Sequence, residues 1–228
     1  MWDALPGLVE DAAASKGVRV LVVRSSTEAI FSAGADISEY SDHVGDVEWG
    51  VDNQQRISQG TRALREAPMP VVAAVDGPAF GAGAGLVVSC DIRLATARST
   101  FAFTPAKLGM IYPFPDTAAL VDVVGVAAAR GILLSGRTLD SSEARSLGLL
   151  DEVTADSGLD DAVKRWTDLL AANSPTSMRL MKKTLALAAA GQRDDDETTH
   201  AYVREALEGG DYVEGSSAFL ERRAPKYD

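Results

Sequence analysis

The 228-residue sequence has a single cysteine, Cys90, and two histidines, His43 and His200. A lone cysteine closes no internal disulfide, and one thiol with two dispersed imidazoles makes no zinc site, so the sequence implies no structural metal. Positive charge is also scarce: 22 Lys and Arg stand against 33 Asp and Glu, a net charge of −11. Nucleic acid and anionic membrane surfaces are held by clustered Lys and Arg, so neither is expected as a partner. A small anionic ligand needs only local donors and stays open. No run of about 20 apolar residues reads as a bilayer span. The opening MWDALPGLVEDAAASKG is acidic and amphipathic rather than a leader, so a soluble, cytoplasmic protein is expected.

What is present is an ordinary globular composition, 46% hydrophobic and 24% charged. Apolar spacing predicts a helix from Ala4 to Ala14, and Val18 to Val23 is a β-branched run of the kind buried in a parallel sheet. A glycine-containing loop, Ile30 to Ile37, follows. Ser38 to Ala67 is polar and helix-compatible, broken at Gly45, Gly50 and Gly60 into two or more pieces. Val71 to Val75 predicts a second buried strand, closed by the turn Asp76-Gly-Pro78. Leu86 to Ser89 reads as helix, and Ile92 to Ala95 and Phe101 to Phe103 as strands. Asp116 fits the N-cap of a helix through Val124 with Gly125 just past its end, and Ala127 to Leu134 is another helix. Ser141 to Gly148 predicts a short helix before a strand at Leu150 to Val153. Leu159 to Ala172, Ser177 to Ala190 and Asp195 to Glu208 then read as helices with no strand between them. The alternation ends near residue 156, dividing an α/β core, 1–156, from a helical region, 157–228.

Two turns attract attention. Phe31-Ser-Ala-Gly34-Ala-Asp-Ile37 leaves a predicted strand, at the sheet end where α/β proteins place ligands. Gly34 permits a turn that leaves neighbouring amides free to meet an anionic oxygen, although on this segment alone a plain strand-to-helix turn capped by Asp36 is the better reading. Asp76-Gly-Pro-Ala-Phe-Gly81-Ala-Gly83-Ala-Gly85 also leaves a strand and opens a helix, whose first amides favour negative charge. Its glycines also suit close helix packing, and its spacing is neither a P-loop nor a dinucleotide fingerprint.

FSAGADI from Phe31, AAVDGPAFGAGAGLVVSCDIRLA from Ala73, FAFTPAKLGM from Phe101, SSEARSLGLLDEV from Ser141 and EGSSAFLERRAPKY from Glu214, in this order, resemble the crotonase (enoyl-CoA hydratase/isomerase) superfamily along nearly the whole chain. The resemblance implies an α/β spiral of ββα turns and a C-terminal helical region that packs homotrimers or dimers of trimers. The implied partner is an acyl-CoA substrate, with coenzyme A as part of the substrate and no separate cofactor. The family's oxyanion hole, two backbone amides that hold the thioester oxygen, maps onto Ala35 and Ala82. Ala33, Gly34, Asp36, Ile37, Gly81, Gly83, Gly85, Pro105 and Pro113 would surround the acyl group, and Phe219 would line the adenine site. The family's usual first strands have no counterpart before Trp2.

This chain departs from the family at the acids. The two carboxylates that manage water in family hydratases fall at Gly85 and Pro105, and the aspartate of some isomerases and dehalogenases falls at Pro113. Tyr112 remains. Thr104-Pro-Ala-Lys-Leu-Gly-Met-Ile-Tyr112 is similar to methylmalonyl-CoA decarboxylases, which carry a tyrosine in the corresponding stretch, although they have His at position 35 and Glu at position 85. Decarboxylation of a small branched malonyl-CoA is therefore the expected reaction, with hydratase or isomerase chemistry by other groups, or a silent acyl-CoA-binding subunit, as alternatives. Lys182, Lys183, Arg222, Arg223 and Lys226 could meet CoA phosphates, but for most of them a solvated helix face is the expected reading.

Overall fold

The computed structural model describes residues 1–227, without the side chain of Ile37. A short 3₁₀ turn, Trp2–Ala4, leads into α1 (Leu5–Ala14), followed by β1 (Leu21–Arg24), α2 (Ile37–Asp42), α3 (Val47–Glu66) and β2 (Val71–Val75). Next come β3 (Ala79–Phe80), α4 (Ala82–Val88), β4 (Ile92–Thr96), β5 (Thr100–Ala102), a 3₁₀ turn (Pro105–Leu108) and α5 (Phe114–Ser135). The chain continues through β6 (Thr138–Asp140), α6 (Ser141–Ser146), β7 (Glu152–Thr154), α7 (Leu159–Ala171), α8 (Pro175–Ala189), α9 (Glu197–Glu208) and α10 (Gly210–Glu221).

Four strands form a parallel sheet in the order β1-β2-β4-β7. β2 shows why its sequence is apolar throughout: Val71, Ala73 and Val75 face one core, with α3, α4 and α5, while Val72 and Ala74 face another, against Leu159 and Ala162 of α7. A smaller sheet, β3-β5-β6, stands beside it, with β3 parallel and β6 antiparallel to β5.

The structure amends several expectations. The first strand starts at Leu21 rather than Val18, and β7 lies two residues beyond the expected start. Gly45 separates α2 from α3, but Gly50 and Gly60 sit inside α3; a Cβ on Gly60 would lie 3.2 Å from the Trp2 ring, so that glycine admits the N-terminal turn. β3, β6 and α10 were not anticipated. Asp116 is not a cap: Pro113 precedes α5 and Asp116 lies buried inside its first turn. The stretch 114–135 is long and apolar enough to cross a membrane by length and composition alone, although Asp116, Asp122 and Arg130 interrupt it. It is bent at Gly125 (φ 74°, ψ 158°) and packs Leu120, Ala129 and Ile132 into the core.

Lys182 is not solvated either. Its Nζ donates to Asp91 Oδ2 at 2.7 Å and to the Met69 carbonyl at 3.0 Å, and Asp91 also accepts from the Val71 amide at 2.7 Å. These bonds tie α8 to the start of β2. Arg223 pairs with Glu214 and Glu221 and Lys183 lies over the Tyr202 ring, so these cations have partners within the protein. Asp196 caps α9 with a reciprocal capping box, which accounts for the acidic start of that helix.

Candidate active site

The two glycine turns meet. Ser32 forms a parallel bridge with Ala79, its carbonyl accepts from Phe80 N at 2.9 Å, and its hydroxyl accepts from Gly34 N at 3.2 Å. Gly34 has φ 102° and Gly81 φ 53°, conformations that side chains rarely adopt. A Cβ on Gly34 would lie 2.9 Å from the Phe80 carbonyl oxygen and 3.6 Å from Ala82 N, so the turns are in van der Waals contact. Each positive-φ glycine turns the next amide, Ala35 or Ala82, away from the sheet. Both alanines line one cavity of about 500 Å³, and among the described residues neither N–H has a protein acceptor. Two free donors at one point of an apolar cavity form a site for an oxygen that gains negative charge.

The facing wall carries Tyr112. Its hydroxyl lies 2.7 Å from where a Cβ on Gly85 would be, so the phenol occupies the space that a longer side chain at 85 would need. Its ring is edge-on to Phe103 at 5.9 Å. Burial pushes the phenol well above its ordinary range, the charge of Asp116 adds to this and Arg65 opposes it, so Tyr112 stays protonated. Asp116, buried in the same wall, accepts from Ser58 Oγ (2.7 Å), Thr61 Oγ1 (2.6 Å) and Arg65 Nη1 (3.1 Å). Arg65 continues to Ser89 Oγ at 2.9 Å, and Ser89 donates to the Gly85 carbonyl at 2.8 Å. This chain of bonds couples α3, α4 and α5 beneath the cavity.

At the outer end His43 stacks on Trp49 with ring centres 4.4 Å apart, and Tyr40 meets Trp49 edge-on at 5.2 Å. His43 Nδ1 is 3.9 Å from an Asp46 carboxylate oxygen, and all four residues line the cavity.

Of the residues expected around the acyl group, Ala33, Gly34, Ala35, Gly81, Ala82, Gly85, Pro105, Tyr112 and Pro113 line this cavity together. Two do not. Asp36 points outward as the N-cap of α2, accepting from Ser38 N at 2.9 Å. Gly83 is buried in α4, where a Cβ would come 2.5 Å from Ser32 Cβ, so its part is to let the two turns close up. Phe219, expected at the adenine site rather than around the acyl group, is 83% exposed on α10. Ile37 was expected around the acyl group too, but its side chain lies outside the described residues. Sequence reasoning missed the ion pair of Asp116 with Arg65 and the aromatic group at Trp49. The available signal was the α3 face itself: Trp49, Gly50, Gln54, Ile57 and Thr61, at helical spacing, all line the cavity.

The family model for enoyl-CoA hydratase/isomerase matches residues 2–228. A Thermus thermophilus protein provisionally named an enoyl-CoA hydratase is 35% identical over 227 residues, covering 96% of this chain and 87% of its own. The 1,2-epoxyphenylacetyl-CoA isomerase of Escherichia coli is 32% identical over 200 residues, covering 86% of this chain and 76% of its own. A crystal structure from Hyphomonas neptunium, provisionally assigned to the enoyl-CoA hydratase/isomerase family, superposes with a TM-score of 0.95 at 34% identity, covering 100% of this chain and 87% of its own.

Proposed function

Because the chain belongs to the enoyl-CoA hydratase/isomerase (crotonase) family, we propose that it acts on an acyl-CoA whose thioester oxygen accepts from the Ala35 and Ala82 amides, and that it decarboxylates a malonyl-type thioester. The observation that carries this reading is Tyr112, whose protonated hydroxyl lies over Gly85 in the space of a missing acid. In this reaction the bond from the α-carbon to the carboxylate breaks and its electron pair enters the thioester, making an enolate. The two amides hold the enolate oxygen; losing one such donor costs other enzymes about 3 kcal/mol. No base is needed, because CO₂ rather than a proton leaves. The apolar wall desolvates the departing carboxylate, and the Tyr112 phenol orients it and then helps return a proton, drawn from solvent, to the α-carbon. A phenol held protonated suits a donor and does not suit a base.

A second reading rests on His43, which has one distant carboxylate partner and an edge on the cavity. Hydration or double-bond isomerisation needs a group that exchanges protons, and His43 brings an imidazole to the cavity wall. A panel of methylmalonyl-, ethylmalonyl-, decylmalonyl-, crotonyl- and dodecenoyl-CoA separates the readings. CO₂ release lost in Tyr112→Phe supports the first, crotonyl-CoA turnover lost in His43→Gln supports the second, and binding without turnover points to a silent acyl-CoA-binding subunit. Val203, Leu207, Val213, Phe219 and Leu220, exposed on α9 and α10, support assembly with further copies of the chain, as a homotrimer or a dimer of trimers.

A further inference from the structure

A second hollow adjoins the cavity. Between the first half of α3 and residues 109–115 lies a groove of about 800 Å³, and it shares Gly50, Gln54, Met110 and Ile111 with the wall of the cavity that holds Ala35 and Ala82. The two spaces meet at Gln54, whose Nε2 reaches across to the Ile111 carbonyl at 3.4 Å. The far wall there is Met110 and Ile111, the latter 81% exposed.

Gly50 lies at this junction and is unlike the other glycine of α3. Gly60 is required by packing, since a Cβ there would press on Trp2 and Leu5. A Cβ on Gly50 would meet nothing within 4 Å, and its backbone is ordinarily helical, with its N–H donating to Asp46 O at 3.1 Å. Glycine is among the poorest helix formers, and neither backbone conformation nor protein packing calls for it here. What its missing side chain leaves is room in the channel.

We propose that the acyl tail of the substrate runs along the α3 face from Thr61 to Gly50 and leaves through this groove, with Gly50 as the residue that sets the tail length. The inference rests on the acyl-CoA reading above and names the substrate class within it: thioesters with a long or bulky apolar tail rather than short ones. The twelve residues from Thr61 to Gly50 span about 16 Å of helix. An extended alkyl chain advances about 1.25 Å per carbon, from carbon–carbon bonds of about 1.52 Å at about 111°. That face therefore accommodates a tail of roughly ten to thirteen carbons. Gly50, Ile57, Met110 and Ile111 give hydrocarbon an apolar lining beside the uncharged Gln54, Gln55, Ser58 and Thr61, while the carboxylates of the lining belong to its two ends, Asp116 bonded to Thr61 and Asp46 one turn before Gly50.

The test uses nonreactive S-butyl-, S-octyl- and S-decyl-CoA thioethers, titrated calorimetrically into the wild-type protein, Gly50→Leu and Ile111→Trp. Each methylene buried from water tightens binding by up to about fourfold. The wild type is expected to bind the decyl probe at least about thirtyfold tighter than the butyl probe. In Gly50→Leu the decyl probe is expected to lose about tenfold more affinity than the butyl probe. Ile111→Trp narrows the channel from the opposite wall at an exposed position, and so repeats the effect without altering the helix. Equal affinity for all three probes in the wild type, or equal losses for butyl and decyl in both variants, overturns the channel while leaving the acyl-CoA reading intact. Failure of every probe to bind the wild type overturns both.

Discussion

Gly85→Ala tests the placement of Tyr112 without knowledge of the substrate. The new Cβ would stand 2.7 Å from the Tyr112 hydroxyl, about 0.7 Å inside the 3.4 Å at which ordinary contact begins. Gly85 lies in the buried helix α4, so the phenol must give way. Overpacking of this kind costs about 1–3 kcal/mol, offset by about 1 kcal/mol from alanine's better helix propensity. The net loss is about 0–2 kcal/mol, a fall in melting temperature of up to about 6 °C for a chain of this size. In Tyr112→Phe the clash disappears, because the next atoms a Cβ meets are Thr61 Cγ2 at 3.8 Å and Tyr112 Cζ at 3.9 Å. The same Gly85→Ala change then stabilises, by up to about 1 kcal/mol. The measurement is a double-mutant cycle by urea unfolding and thermal melts, and the expected result is opposite signs in the two backgrounds. A loss of equal size in both refutes the stacking of Tyr112 on Gly85. Activity, once a substrate is found, follows the same cycle: Gly85→Ala displaces the phenol by most of 1 Å and costs about 10- to 100-fold, with little further loss in the double mutant.

Other outcomes follow from the same geometry. Asp116→Ala leaves Arg65 without its carboxylate in a largely buried setting, and should cost about 3 kcal/mol in urea unfolding; a loss below about 1 kcal/mol would show the pair to be solvated in practice. Gly34→Ala combines φ 102° with a Cβ 2.9 Å from the Phe80 carbonyl, so it should separate the two turns and weaken acyl-CoA thioether binding at least about tenfold, read by calorimetry. Because burial raises the Tyr112 phenol, the folded chain keeps that proton when the unfolded chain has lost it. Stability attached to Tyr112 is complete below about pH 10 and declines as pH rises further, so melts from pH 9 to 11 should fall more steeply in the wild type than in Tyr112→Phe.

The strands that position the site were legible because they are apolar on both faces, as in Val71 to Val75. β3 and β6 were not, since two or three residues carry no measurable period and exist only through their pairing with β5. α10 was hidden by Gly209 and Gly210, which read as a stop although α10 starts there directly after α9. The amide pair is legible only through the resemblance of its motifs to the crotonase family, because glycines at 34 and 81, although both take positive φ, also suit ordinary turns and helix packing. Asp116 misled for a different reason. A carboxylate at the start of a helix is usually a cap, and only the arrival of Ser58, Thr61 and Arg65 from 50 or more residues away makes it a buried ion pair.

The cradle proposed for a thioester oxygen is built from backbone, at alanines reached through glycines, and the two halves are clamped by Ser32 against Ala79 and Gly83. Truncating side chains therefore leaves its chemistry untouched, and an alanine scan would pass over Ala35 and Ala82 without registering them. Sensitivity appears only on adding atoms, at positions where there is nothing to remove. In such a protein, harmful variants are gains of a methyl group at Gly34 or Gly83, and the tolerant ground for changing substrate lies on α3 and residues 105–113, whose side chains form the opposite wall.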